Sequence, residues 1–85
     1  MAIESLHHRL SEIVAELVGR GLPLRQARRQ FERQYLVAAL RLHAGSLTKA
    51  AERLGVHRNT LRNRLDELGV RQAEYRRGAA RRDSG

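Results

Sequence analysis

Asn59, Arg62 and Asn63, with Arg58 on their flank, are the side chains of this sequence whose types and spacing suggest a specific chemistry. A guanidinium is a planar fork of donors that matches O6 and N7 of guanine. A carboxamide carries the donor and acceptor that match N6 and N7 of adenine. Such groups can work together only if a rigid element turns them to one side. At 100° per residue, Leu61, Leu65 and Leu68 fall within about 60° of one another on a helix. That makes them the core side and turns Asn59, Arg62 and Asn63 outward.

A second set suits the phosphate backbone. Hydroxyls, ammonium groups and helix N-terminal amides hold phosphates and set register without reading sequence. Thr48, Lys49, Thr60 and Arg64 are placed for that role, and Arg58 for either role. His57 precedes the last helix as an imperfect cap or a phosphate contact.

The elements that must position these groups can be read outward from them. Ser46 is a good N-cap for a helix over Leu47 to Leu54. Ala50 and Ala51 are small where that helix must lie close to a neighbour, and Gly55-Val56 leaves room only for a tight turn. The last helix runs from Arg58 to Leu68 and is closed by Gly69. Val56 and Leu61 are expected to fill the angle between the two helices, with Leu54 beneath. In this order and spacing, residues 46–68 make a helix-turn-helix.

Two longer helices come first. Leu6, Leu10, Ile13, Val14, Leu17 and Val18 repeat on one face over residues 4–18, and Gly19 and Gly21 end the pattern. Residues 23–44 form the second, with Pro23 in its first turn. Its first half is basic (Arg25, Arg28, Arg29, Arg33) and its second half is apolar nearly all round, as in a helix with several neighbours. The sequence therefore predicts an all-α fold of four helices in a single domain over residues 1–70. Residues 71–85 follow as a basic tail with little to bury, expected to be disordered.

Composition narrows the function. Eighty-five residues without cysteine make a marginal core with no disulfide or thiolate metal site to reinforce it. Pairing with a second copy supplies the missing burial, and the Leu6 to Val18 stripe is the expected interface. The net charge of +8 is uneven. Residues 1–22 set Arg9 and Arg20 against Glu4, Glu12 and Glu16, a net −1. The other fifteen basic and six acidic groups give the rest of the chain +9. That division suggests an assembly part joined to a polyanion-binding part. The stripe opposes Glu12 and Glu16 as well as Arg9, unlike a membrane-surface helix. No apolar run approaches the ~20 residues that cross a bilayer, and no signal peptide is visible, so the expected compartment is the cytoplasm. His7 and His8 point to different sides of a helix and His43 is distant, so no metal is expected. No nucleophile–base pair or glycine-rich phosphate loop is present; neither an enzyme nor a cofactor is expected.

From Phe31 onward the chain resembles the Fis family, the nucleoid-associated factor for inversion stimulation, and equally the DNA-binding ends of NtrC-type activators. The likeness rests on Phe31-Glu-Arg-Gln-Tyr-Leu36, Gly45-Ser-Leu-Thr-Lys-Ala-Ala51, Leu54-Gly-Val-His-Arg-Asn-Thr-Leu-Arg-Asn-Arg-Leu65 and Leu68-Gly-Val70. The resemblance implies an intertwined homodimer, with Leu6, Leu10, Ile13, Val14, Leu17, Phe31 and Tyr35 at its interface. It implies binding and bending of double-stranded DNA by a transcriptional regulator or nucleoid protein. The family's DNA contacts map onto Ser46, Thr48, Lys49, His57, Arg58, Thr60, Arg62, Asn63 and Arg64. Asp66 and Glu67 stand where the nucleoid protein is basic, so a weaker phosphate grip is expected near that end. The segment before Leu6 is too short for the arm that contacts recombinases, so no recombinase contact is expected. Two other readings remain open: a DNA-binding fragment of a larger NtrC-type activator, and a basic module that docks acidic proteins or RNA.

Overall fold

The computed structural model describes residues 2–76 and is all-helical, with no strand among the described residues. Five helices follow one another: α1 (Ala2–Gly19), α2 (Leu24–Leu42), α3 (Leu47–Leu54), α4 (Arg58–Glu67) and α5 (Gln72–Tyr75). None of them is long and apolar enough to cross a membrane.

One device ends the first four helices. A residue with positive φ follows each, and the next amide reaches back five residues to a carbonyl. At α1, Leu22 N donates to Leu17 O (3.1 Å) around Gly21; at α4, Val70 N donates to Leu65 O (2.9 Å) around Gly69. At α3, Val56 N donates to Ala51 O (3.0 Å) around Gly55, whose φ of 76° sets the sharp turn into α4. At α2 the left-handed residue is Ala44, with φ 54°, and Gly45 N donates to Leu40 O at 2.7 Å. An alanine there costs about 1 kcal/mol or more because its Cβ crowds the carbonyl. The reversal delivers Ser46 to the start of α3. Pro23 sits one position earlier than expected, as the extended N-cap of α2 rather than in its first turn.

The core lies entirely in the C-terminal part of the chain. Leu36 and Leu40 of α2, Ala50 and Ala51 of α3, Leu61 and Leu65 of α4, Leu68 and Tyr75 are buried together. Val37, Leu47, Leu54 and Val70 pack against them, half-buried. Leu40 is wholly buried and Leu61 nearly so. Each full leucine burial stabilises by about 1.5–3 kcal/mol. Ala50 and Ala51 are small enough to bring α3 close to its neighbours. Val56, expected in the angle between α3 and α4, is instead 41% exposed; Leu61 fills that place.

Helix α1 adds nothing to this core. Leu6, Leu10, Ile13 and Val14 are all exposed, and Leu17 is half-buried. With Leu22, Phe31 and Tyr35 they border an open groove of about 890 Å³ between α1 and the first half of α2, Leu6 excepted. Phe31 and Tyr35 stack along α2 with ring centroids 5.6 Å apart.

The chain also stays ordered past Val70, where the sequence predicts a tail. Tyr75 of α5 is buried, and Arg33 of α2 donates to Glu74 Oε2 at 2.8 Å. Arg41 Nε donates to the Glu74 carbonyl at 2.8 Å, and Arg71 N to Glu74 Oε2 at 3.1 Å. These contacts dock residues 71–76 as a fifth, short helix. The rest of the expected tail, residues 77–85, lies outside the described residues.

Candidate nucleic-acid interface

Helix α3 is set by its cap. The Ser46 Oγ accepts from Lys49 N at 3.2 Å, which satisfies one first-turn amide and leaves Thr48 and Lys49 exposed on that turn. Helix α4 starts differently. His57 is extended (φ −76°, ψ 150°), and its imidazole makes no capping bond. Its carbonyl accepts from Leu61 N at 3.0 Å, so the helix begins there without side-chain help. First-turn amides left in this way favour an anion.

The two sides of α4 differ sharply. Leu61, Leu65 and Leu68 are buried, at 1%, 3% and 4% exposure. Arg58, Asn59, Thr60, Arg62 and Asn63 are all exposed. Among the described residues, none of these five side chains forms a hydrogen bond or ion pair within the chain, and Arg62 does not pair with Asp66. The structure thus leaves two cations, two amides and a hydroxyl exposed around the side of α4 away from its buried leucines, with Lys49 exposed on the preceding helix. Unpaired forks of this kind can take base edges or phosphates without first breaking a bond.

Arg64 is placed differently from its neighbours. It is half-buried and reaches back to α2, where Nε donates to Glu32 Oε2 at 2.7 Å and Nη2 pairs with Glu32 Oε1. Nη1 pairs with Glu67 one turn along α4. Hydrogen bonding to Glu32 is the main reason the guanidinium holds its proton more tightly than usual. The same bond holds the Glu32 carboxyl below the ordinary carboxylate range. Arg29 of α2 adds a weaker tie to the Glu67 carbonyl at 3.4 Å. Glu74 also lies below that range, chiefly because the Arg71 amide donates to it.

Glu32 is therefore a residue of the site that the sequence reading did not single out. Its signal was its place beside Phe31 in the second helix, but nothing local ties it to Arg64, 32 positions away. The histidines do not converge: His8 pairs with Glu12 on the α1 surface at 3.2 Å. Among the described residues no three metal-binding side chains cluster.

Residues 27–68 match the family described as bacterial regulatory protein, Fis family. Over 50 residues the chain is 46% identical to the nitrogen assimilation regulatory protein NtrX of Azorhizobium caulinodans. That stretch is 59% of this chain but 11% of the relative, so the chain spans a small part of the curated protein it matches. No solved structure matches it.

Proposed function

We propose that this chain, which belongs over residues 27–68 to the Fis family of bacterial regulatory proteins, binds duplex DNA as a transcriptional regulator by laying α4 in the major groove. The observation that carries this reading is the unpaired face of α4, set opposite the buried Leu61, Leu65 and Leu68. Asn59, Arg62 and Asn63 read base edges, and Arg58 reads a base or grips phosphate. Ser46, Thr48, Lys49, His57 and Thr60 bind the backbone and fix register. Arg64 was grouped with these on sequence grounds; its bonds to Glu32 and Glu67 favour holding α4 in place instead.

The protein works as a homodimer. Most of a helix's stability in a protein comes from packing its apolar face, and α1 leaves Leu6, Leu10, Ile13 and Val14 exposed. A second copy seated on these residues with Leu17, Phe31 and Tyr35 would bury that face and present two recognition helices to one duplex. Where such helices stand closer than the ~34 Å of one DNA turn, the duplex bends to meet both.

Fluorescence anisotropy with duplex DNA and duplex RNA tests the reading. Duplex DNA binds and duplex RNA, whose major groove is deep and narrow, does not. Affinity falls by about 10³–10⁵ between 50 and 200 mM salt if 6–10 phosphates are contacted. Arg62→Ala costs about 1–3 kcal/mol on a preferred site and blurs base preference there. Equal losses on preferred and random DNA would make Arg62 a phosphate contact, and equal binding to RNA would favour a general polyanion module.

The match to 11% of a much longer regulator supports a second form of the same reading. In it, these residues are the DNA-binding end of an NtrC-type activator, and locating the open reading frame in its genome distinguishes the two.

A further inference from the structure

We infer that Glu32, through its two-point bond to Arg64, is a positioning residue that sets the orientation of the recognition helix against α2. The inference rests on the DNA-binding reading above and assigns that site a part not in contact with DNA.

The geometry supports it in three ways. A carboxylate gripping a guanidinium at two atoms fixes the relative plane of both groups, where a single contact would leave them free to swivel. Arg64 lies between Asn63, which is exposed, and Leu65, which is buried, so it marks the edge between the outer and inner faces of α4. Both its carboxylate partners lie on the α2 side or further along α4, and Arg29 ties the same end of α4 through the Glu67 carbonyl. The C-terminal half of α4 is thus tied to α2 through side-chain bonds, while Arg58, Asn59 and Arg62 in its N-terminal half stay exposed and unpaired among the described residues. Glu32 also directly follows Phe31, which lines the groove between α1 and α2. The brace therefore runs from the helix next to that groove to the helix proposed to read DNA.

At about 40% exposure the pair adds little to stability, as surface pairs generally do. Its effect belongs in recognition, and a charge argument gives the test a definite sign. Removing a carboxylate near a polyanion should by electrostatics alone tighten binding. Loss of positioning should instead weaken binding where base contacts count.

The experiment uses the full chain. A preferred duplex is selected by the wild-type protein from a random pool, and affinities for it and for a random duplex are measured across salt concentrations. Glu52→Gln, which removes an exposed carboxylate on α3, is the charge control. Glu32→Gln should weaken binding to the selected duplex about tenfold, within the range of one base contact. Its affinity for random duplex should hold or rise, as for Glu52→Gln. Arg64→Lys keeps the charge but loses the fork, and should show the same loss of preference with an unchanged salt slope. It also carries the test if Glu32→Gln melts below the assay temperature.

Glu32→Gln binding both duplexes more tightly, with a steeper salt slope, would mean that Arg64 had been freed to grip phosphate; that would overturn the inference. Unchanged preference in both variants would overturn it too. Failure of the wild-type protein to bind any duplex would instead overturn the DNA-binding reading itself.

Discussion

The two ends of this small chain meet opposite fates. From Leu36 to Tyr75, every large aliphatic or aromatic side chain except Leu42 and Val56 is at least half-buried, and the core closes on itself. From Ile3 to Tyr35, an equally apolar series stays exposed apart from the half-buried Leu17 and Leu22: Leu6, Ile13 and Phe31 are 52%, 55% and 58% accessible. Helical periodicity is just as clear in both. What separates them is whether the chain supplies its own partner. The second half does, by folding three helices over the end of α2, whereas the first half offers only a groove.

The contrast can be broken by substitution. Leu61→Ala removes a side chain at the centre of the closed core and should lower unfolding free energy by about 2–5 kcal/mol. Thermal melts should show the same loss at every protein concentration. Ile13→Ala should act differently if the groove takes a second copy, since mass action then makes stability depend on concentration. Its melting temperature should fall most in dilute solution. A concentration-independent effect at both positions would mean that α1 pairs with nothing.

A smaller effect is expected inside the closed region, where α2 turns into α3. Ala44 holds φ 54° at the end of α2, so Ala44→Gly should stabilise by about 1 kcal/mol or less. A drop in melting temperature would show that the alanine methyl packs usefully there.

The mildest prediction concerns pH. Glu32 and Glu74 are both held below the ordinary carboxylate range when folded. Their contribution is therefore complete above the unfolded value, about 4.3, and is lost as pH falls through the lower folded values. Melting temperature should fall below about pH 4 partly on their account. The acid-induced loss should be shallower in Glu32→Gln; an identical acid profile would remove Glu32 from the explanation.

How much of this was legible in the sequence follows from range. The Ser46 cap, the Gly55 turn and the buried Leu61, Leu65 and Leu68 depend on neighbours within a turn or two, and periodicity shows them. Residues 71–76 were not legible, because a basic stretch with one tyrosine looks solvated until Arg33 and Arg41 meet Glu74 from more than 30 positions away. The bond between Arg64 and Glu32 was not legible for the same reason. Among many arginines, nothing local indicates which one a distant carboxylate will engage. Val56 misled in the other direction, being apolar at a tight turn yet 41% exposed.

In the proposed assembly, one half of the chain pairs with a second copy so that the other half can hold a duplex. Native mass spectrometry of the protein with a selected duplex tests it most directly. Two chains per duplex are expected, together with a two-chain species in the absence of DNA. A complex of one chain with one duplex, or free protein that remains a single chain at every concentration, would contradict it.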